Sequence, residues 1–191
     1  MIRSFIAIDL PDATRQALAA VQEQLRQSRA AVRWLRPASI HLTLKFLGNI
    51  HPEQVDDIAA TVAEVVRSEP VLTLRAAWLA AFPSQRKPRV IWVGLKGDVD
   101  RLKQIQARLE SSLEPLGFAR EDRSFHPHLT LGRVKDRRRL QQLIDIMADL
   151  ELPRFNSFDA DEIILYKSDL RSTGAIYTKL HRIPLAAPAA T

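Results

Sequence analysis

The tetrapeptide His-Leu-Thr-Leu is written twice, at His41–Leu44 and at His128–Leu131, 87 positions apart. With five histidines and eight threonines in 191 residues, chance supplies only about 0.2 His-x-Thr triplets. The flanks repeat too. "FIAIDLPDATRQALAAVQEQL" reads as strand then helix and leads to "HLTLKFLG"; "VIWVGLKGDVDRLKQIQARLESSL" reads the same way and leads to "HLTLGRV". A chain that writes strand, helix and motif twice predicts an α+β fold of two pseudo-symmetric lobes. Each half should build one lobe, a mainly antiparallel sheet with two helices, and a groove should run between them. No Pro/Gly/Ser-rich linker separates the halves, so residues 1–191 read as a single bilobal domain with a frayed tail at 186–191.

The remaining pattern fits this scheme. "FIAI" is a β-branched and aromatic run, hence a strand, and Asp9 and Pro11 open a helix striped by Ala17, Leu18, Val21 and Leu25. "VRWL" is a short strand closed by Pro37, and His41–Leu47 alternates as a strand does. Pro52 starts a second helix with Val55, Ile58, Ala59, Val62 and Val66 on one face. "VLTLRAAWLAAF" and "RVIWVGL" read as strands around the loop "PSQRKP". Gly97 and Asp98 open a third helix that Gly117 stops, and Asp136 is placed to cap a fourth, with Leu140, Leu143, Ile144 and Met147 inward. "DEIILYKSDL" and "GAIYTKLHRIPL" form a closing hairpin.

Composition narrows the chemistry. There is no cysteine, which excludes disulfides, iron–sulfur clusters and thiol nucleophiles. The apolar run near the N-terminus is too short for a signal peptide or a membrane span, so a soluble, cytoplasmic monomer with no membrane partner is expected. The net charge of +6 suits a polyanion such as RNA, although it serves plain solubility equally well.

In a strand, residues two apart share a face. His41 and Thr43 therefore stand together, as do His128 and Thr130, while Leu42, Leu44, Leu129 and Leu131 anchor the other face. A two-fold relation between the lobes sets the two His/Thr pairs across one groove. Imidazoles ordinarily titrate near pH 6.5, so one can take a proton from a nucleophilic water while the other gives one to a leaving oxygen. In displacement at phosphorus, attacking and leaving oxygens lie roughly in line, which suits an acid and a base on opposite sides. Threonine hydroxyls donate to the non-bridging oxygens. The scheme needs no cofactor and no metal. It leaves open which histidine is the acid.

These residues resemble the 2H phosphoesterases. The phrases "RSFIAIDLP", "HLTLKFLGNI", "RVIWVGL" and "FHPHLTLGRV" are similar to the RNA 2′,3′-cyclic phosphodiesterase branch, also called the 2′-5′ RNA ligase family, over about Arg3 to Leu185. The resemblance implies metal-independent opening of an RNA 2′,3′-cyclic phosphate terminus, or a related nucleotide, to a 2′-phosphomonoester, with weak reverse 2′-5′ joining. It implies His41 as proton donor, His128 as proton acceptor, and Thr43 and Thr130 as phosphate holders.

Arg133 has the parity of the face opposite Thr130, and a bend after Gly132 is needed to turn it to the phosphate. His126 shares the parity of His128, but strand-edge histidines are usually solvated. A three-histidine metal site lacks supporting Cys or carboxylates. His51 and His181 read as surface residues. Arg86, Lys87 and Arg89, or Arg137, Arg138 and Arg139, could follow an RNA backbone, though each alone reads first as solvated. Phe46, Trp92 and Phe125 could stack on a base but fit a core pattern better. The rivals are a non-catalytic nucleotide- or RNA-binding module, and a phosphodiesterase for another cyclic or 2′-5′ phosphodiester.

Overall fold

Alternating apolar residues give strands and three-to-four spacing gives helices. The computed structural model describes residues 1–171 and 174–186. The strands are β1 (Ile2–Ile8), β2 (Val32–Trp34), β3 (Leu42–Ile50), β4 (Leu72–Phe82), β5 (Val90–Gly97), β6 (His128–Val134), β7 (Phe158–Ala160), β8 (Glu162–Arg171) and β9 (Gly174–Pro184). The helices are α1 (Asp12–Arg26), α2 (Val55–Val66), α3 (Val99–Leu113) and α4 (Leu140–Asp149). None of them is long and apolar enough to cross a membrane. Residues 187–191, most of the expected frayed tail, lie outside the described residues; Ala186 bridges Pro70.

The strands form one antiparallel path, β7-β4-β5-β6-β3-β1-β8-β9, with β2 on β6. The two lobes meet where β3 pairs with β6 at Leu42↔Leu129. The lobes are not the two sequence halves, however. The closing hairpin β8–β9 pairs with β1, from Ser4↔Lys167 to Ala7↔Ile164, so the C-terminal strands complete the N-terminal lobe. Conversely, β2 pairs with β6 of the other lobe, from Val32↔Val134 to Trp34↔Gly132. Each half lends strands to its counterpart because an edge strand leaves backbone donors and acceptors unpaired.

All four helices bury their stripes in one cluster on one face of the sheet. The stripe Leu18, Val21, Gln22, Leu25 of α1 recurs with identical spacing as Leu102, Ile105, Gln106, Leu109 of α3. Leu42, Leu129 and Leu131 are fully buried there. Truncating any one to alanine costs about 2–5 kcal/mol by lost transfer and cavity formation. The opposite face carries a small cluster of Phe5, Ala7, Ile164 and Tyr166, with Tyr177 against it. That face is where the motif histidines point.

Two local expectations need correction. Helix α4 starts at Leu140, not at Asp136, whose carboxylate instead accepts the Arg138 N–H at 2.8 Å and caps a turn. Leu140, Leu143 and Met147 face the core from α4 as expected, but Ile146 rather than Ile144 joins them there.

Candidate active site

The register Leu42↔Leu129 builds the centre. Continued by one residue each way, it sets His41 across from Thr130 and Thr43 across from His128. Both central leucines are fully buried, so pleat alternation turns all four polar side chains to the open face. The neighbouring strand agrees, pairing Trp92 with Thr130 and Gly94 with His128.

Both imidazoles are fixed in the same way. His41 Nδ1 lies 2.9 Å from the Ser39 carbonyl, and His128 Nδ1 lies 2.6 Å from the His126 carbonyl. A carbonyl only accepts, so each Nδ1 carries hydrogen and each Nε2 is left to exchange protons. His126 thus supports His128 through its backbone; its own exposed ring is tied to the Ser124 carbonyl at 2.8 Å.

Aromatic walls flank each ring. Phe5 stacks on His41 at 4.7 Å, and Tyr177 meets it edge-on at 5.1 Å. Phe82 meets His128 edge-on at 5.2 Å, with Trp92 at 5.8 Å. This apolar packing has an electrostatic consequence. Burial pushes His41 down from 6.5 to about 4, opposed by the Ser39 carbonyl and the Asp9 charge and assisted by Arg15. Burial also lowers His128; the His126 carbonyl opposes this, and the Arg133 and His126 charges add to it. Asp9 is itself part of a charged cluster. Burial works against its ionisation, but the Lys179 ammonium at 2.7 Å and the contacting Arg15 guanidinium hold it below the usual carboxylate range.

A β-bulge follows each threonine. Strand β1 pairs Ala7 with Thr43 and Ile6 with Lys45, leaving Leu44 as the extra residue. Strand β5 pairs Trp92 with Thr130 and Ile91 with Gly132, leaving Leu131 as the extra residue. An extra residue reverses the pleat phase beyond it. The residue five after each histidine therefore returns to the histidine's face. In one motif this is Arg133, which is exposed and whose charge acts on His128. In the other it is Phe46, 68% exposed. The opposite-face parity read for Arg133 is corrected by this bulge, which comes one residue before the expected bend. The core reading of Phe46 is corrected by its counterpart at Leu44. Trp92 is buried and Phe125 packs against the core, as their patterns suggest.

The bulge carbonyls are caught by buried glutamines from the repeated helix stripe. Gln22 of α1 donates Nε2–H to the Leu131 and Leu35 carbonyls, both at 2.8 Å. Gln106 of α3 donates to the Leu44 carbonyl at 3.4 Å and to Glu110 at 2.9 Å. The helix of each half thus braces the other half's motif. Glu110 also contacts the buried Lys45 ammonium, which donates to the Ala119 carbonyl at 2.9 Å and so ties β3 to the loop before β6.

Several of these groups escaped the sequence reading. Asp9 reads as a helix opener in sequence, whereas Gln22 has a usable signal in the glutamine that stands on an apolar stripe in both halves. Gly94, the cross-strand partner of both His128 and Trp78, is required because a side chain there would meet the Trp78 indole at 2.2 Å. Tyr177 had no signal, since its place depends on the hairpin crossing to the other lobe. Arg86, Lys87, Arg89 and Arg137–Arg139 are exposed, and the Arg89 backbone bonds to Phe82, the ring that meets His128. His51 is exposed, and His181 contacts Asp56 at 3.1 Å. Among the described residues no three His, Cys, Asp or Glu side chains converge in a metal-holding arrangement.

With this geometry in hand, the chain can be compared with known proteins. The family model described as LigT like phosphoesterase matches it twice in succession, over residues 8–92 and 93–177. Each match contains one His-x-Thr string. An RNA 2′,3′-cyclic phosphodiesterase of Methanothermobacter thermautotrophicus is 30% identical over 179 residues, covering 94% of this chain and 96% of the relative. The protein of the same name from Methanocaldococcus jannaschii is 32% identical over 179 residues, covering 92% and 96%. Among solved structures, Escherichia coli LigT complexed with 3′-AMP superposes with a TM-score of 0.75 at 27% identity, covering 96% of this chain and 98% of LigT. TT0787 of Thermus thermophilus superposes with a TM-score of 0.77 at 26% identity, covering 96% and 98%. The repeated motif, the shared fold and the double family match agree, and the chain belongs to the LigT like phosphoesterase family.

Proposed function

We propose that the groove hydrolyses an RNA 2′,3′-cyclic phosphate end to a 2′-phosphomonoester, without metal, by acid–base catalysis from His41 and His128. One observation carries this reading: two imidazoles from facing motifs, each tied back through Nδ1, present two proton-exchanging Nε2 atoms to one groove. The names of the M. thermautotrophicus and M. jannaschii relatives supply the substrate class.

Water attacks phosphorus opposite the 3′ oxygen. Nε2 of neutral His128 takes its proton as the new P–O bond forms. The P–O3′ bond breaks, and His41 gives its Nε2 proton to the departing 3′ oxygen. The phosphate stays on the 2′ oxygen. Thr43 and Thr130 donate hydrogen bonds to the non-bridging oxygens, and Arg133 balances their charge. Phe46 offers its exposed ring to the terminal base. A 5′-hydroxyl entering in place of water gives weak 2′-5′ joining by the same steps.

The depressed imidazoles fit this scheme through the substrate. Free His41 is neutral near pH 7, but an anionic phosphate brought into a poorly solvated groove favours imidazolium. Asp9 adds to that bias. The test is turnover of an RNA ending in a 2′,3′-cyclic phosphate, in EDTA. The expected product is the 2′-phosphomonoester, with at least a thousandfold loss in His41→Ala and His128→Ala. A 3′-phosphate product, dependence on added metal, or wild-type rates in either variant would overturn the reading.

A further inference from the structure

A second cluster of positive charge adjoins the first lobe's aromatic wall. Arg33 on β2 and Arg133 on β6 are direct cross-strand partners, and both are exposed. Side chains so paired start about 5 Å apart, and like charges there are destabilising unless something neutralises them. No protein group does so: among the described residues neither arginine holds a carboxylate, whereas nine other arginines do. Arg36 and Arg3 are likewise exposed and without a carboxylate among the described residues. The Arg36 guanidinium is steadied by the Ala175 carbonyl at 2.9 Å, at the start of β9. All four charges act on the Tyr177 hydroxyl, which burial nonetheless keeps protonated as a donor. The Tyr177 ring in turn touches His41.

Four uncompensated guanidiniums are more than one cyclic phosphate needs. Arg133, on the face of Thr130, is placed for the reacting phosphate. We propose that Arg3, Arg33 and Arg36, with the Tyr177 hydroxyl, form a second anion site that holds the phosphodiester 5′ to the terminal nucleotide. The inference rests on the cyclic phosphodiesterase reading and makes the preferred substrate an oligoribonucleotide rather than a mononucleotide. Planar guanidiniums bind phosphate through paired N–H donors, which suits a backbone of any sequence.

The test compares kcat/KM on a 2′,3′-cyclic mononucleotide with kcat/KM on a tetranucleotide carrying the same cyclic end, across a salt series. The wild type should prefer the tetranucleotide by about tenfold or more, the value of one charge-assisted phosphate contact. In Arg33→Ala and, separately, Arg36→Ala, this preference should fall towards one, and the salt dependence on the tetranucleotide should become shallower. Arg33→Lys, which keeps the charge, should retain part of it. Wild-type turnover of both substrates without preference, or a preference and salt slope unchanged in the alanine variants, overturns the second site and leaves the phosphodiesterase standing. No turnover of either substrate by the wild type removes both.

Discussion

Replacing Gln22 with leucine removes one side-chain amide and keeps nearly the same volume. Gln22 is 2% exposed and bridges the Leu35 and Leu131 carbonyls with two 2.8 Å hydrogen bonds. The Leu131 carbonyl keeps a partner, the Leu35 N–H at 2.9 Å. Its share of the loss is one ordinary hydrogen bond, about 0.5–1.5 kcal/mol, while the part-buried Leu35 carbonyl loses its side-chain donor at about 1–3 kcal/mol. Together these predict a loss of about 1.5–4.5 kcal/mol, or roughly 3–18 °C in Tm for a chain of this length. Urea unfolding followed by tryptophan fluorescence measures it. Leu131 is also the bulge residue that sets the phase of Arg133, so kcat/KM on a cyclic phosphate substrate should fall about tenfold or more while the variant is still folded, as sub-ångström misplacement implies. Gln22→Glu sharpens the test. Its carboxylate has no hydrogen to give and faces two carbonyl oxygens, so it should destabilise more at pH 7 than at pH 5. If Gln22→Leu unfolds within about 0.5 kcal/mol of wild type, the span of an ordinary surface substitution, and turns over at the wild-type rate, the bulge holds itself and the bracing argument is wrong.

Two further outcomes follow from the site's electrostatics. Because kcat/KM reports the free enzyme, whose imidazoles burial depresses, and kcat reports the complex with an anionic phosphate, the alkaline limb of kcat should lie at higher pH than that of kcat/KM; coincident limbs would refute the role given to the substrate. Folded His41 titrates near 4 and unfolded near 6.5, so its contribution to stability is complete above pH 6.5 and is lost as pH falls towards 4; His41→Asn should flatten that part of the stability–pH curve. Lys45→Met leaves the buried Glu110 carboxylate without its cation and should cost about 3–5 kcal/mol in chemical denaturation. Adding Glu110→Gln should recover most of it, and no recovery would mean that Lys45 acts through packing alone.

Much of the candidate site is legible in the repeated tetrapeptide without any tertiary information. Strand alternation is a local rule, so pairing His41 with Thr43 and His128 with Thr130 needed only the order of residues. Helix stripes are equally local, and α1, α2 and α3 lie close to where their apolar spacing put them. Arg133 and Phe46 show where local rules end. Each stands beyond a bulge whose extra residue is defined only by the neighbouring strand, Leu131 against β5 and Leu44 against β1. Period-two counting cannot see a residue that has no partner.

What residue order determined by itself was the pair of half-sites: their composition, their anchoring leucines, and their place in a twofold α+β plan. Tertiary structure alone decided how the halves became one groove. It set Leu42 against Leu129, sent β8 and β9 across to complete the other lobe and bring Tyr177 to His41, and buried both imidazoles enough to depress their basicity. The physical reason is that pleat and helix periodicity arise from a residue and its near neighbours. Register, bulges and desolvation arise from whichever distant strand comes to lie alongside.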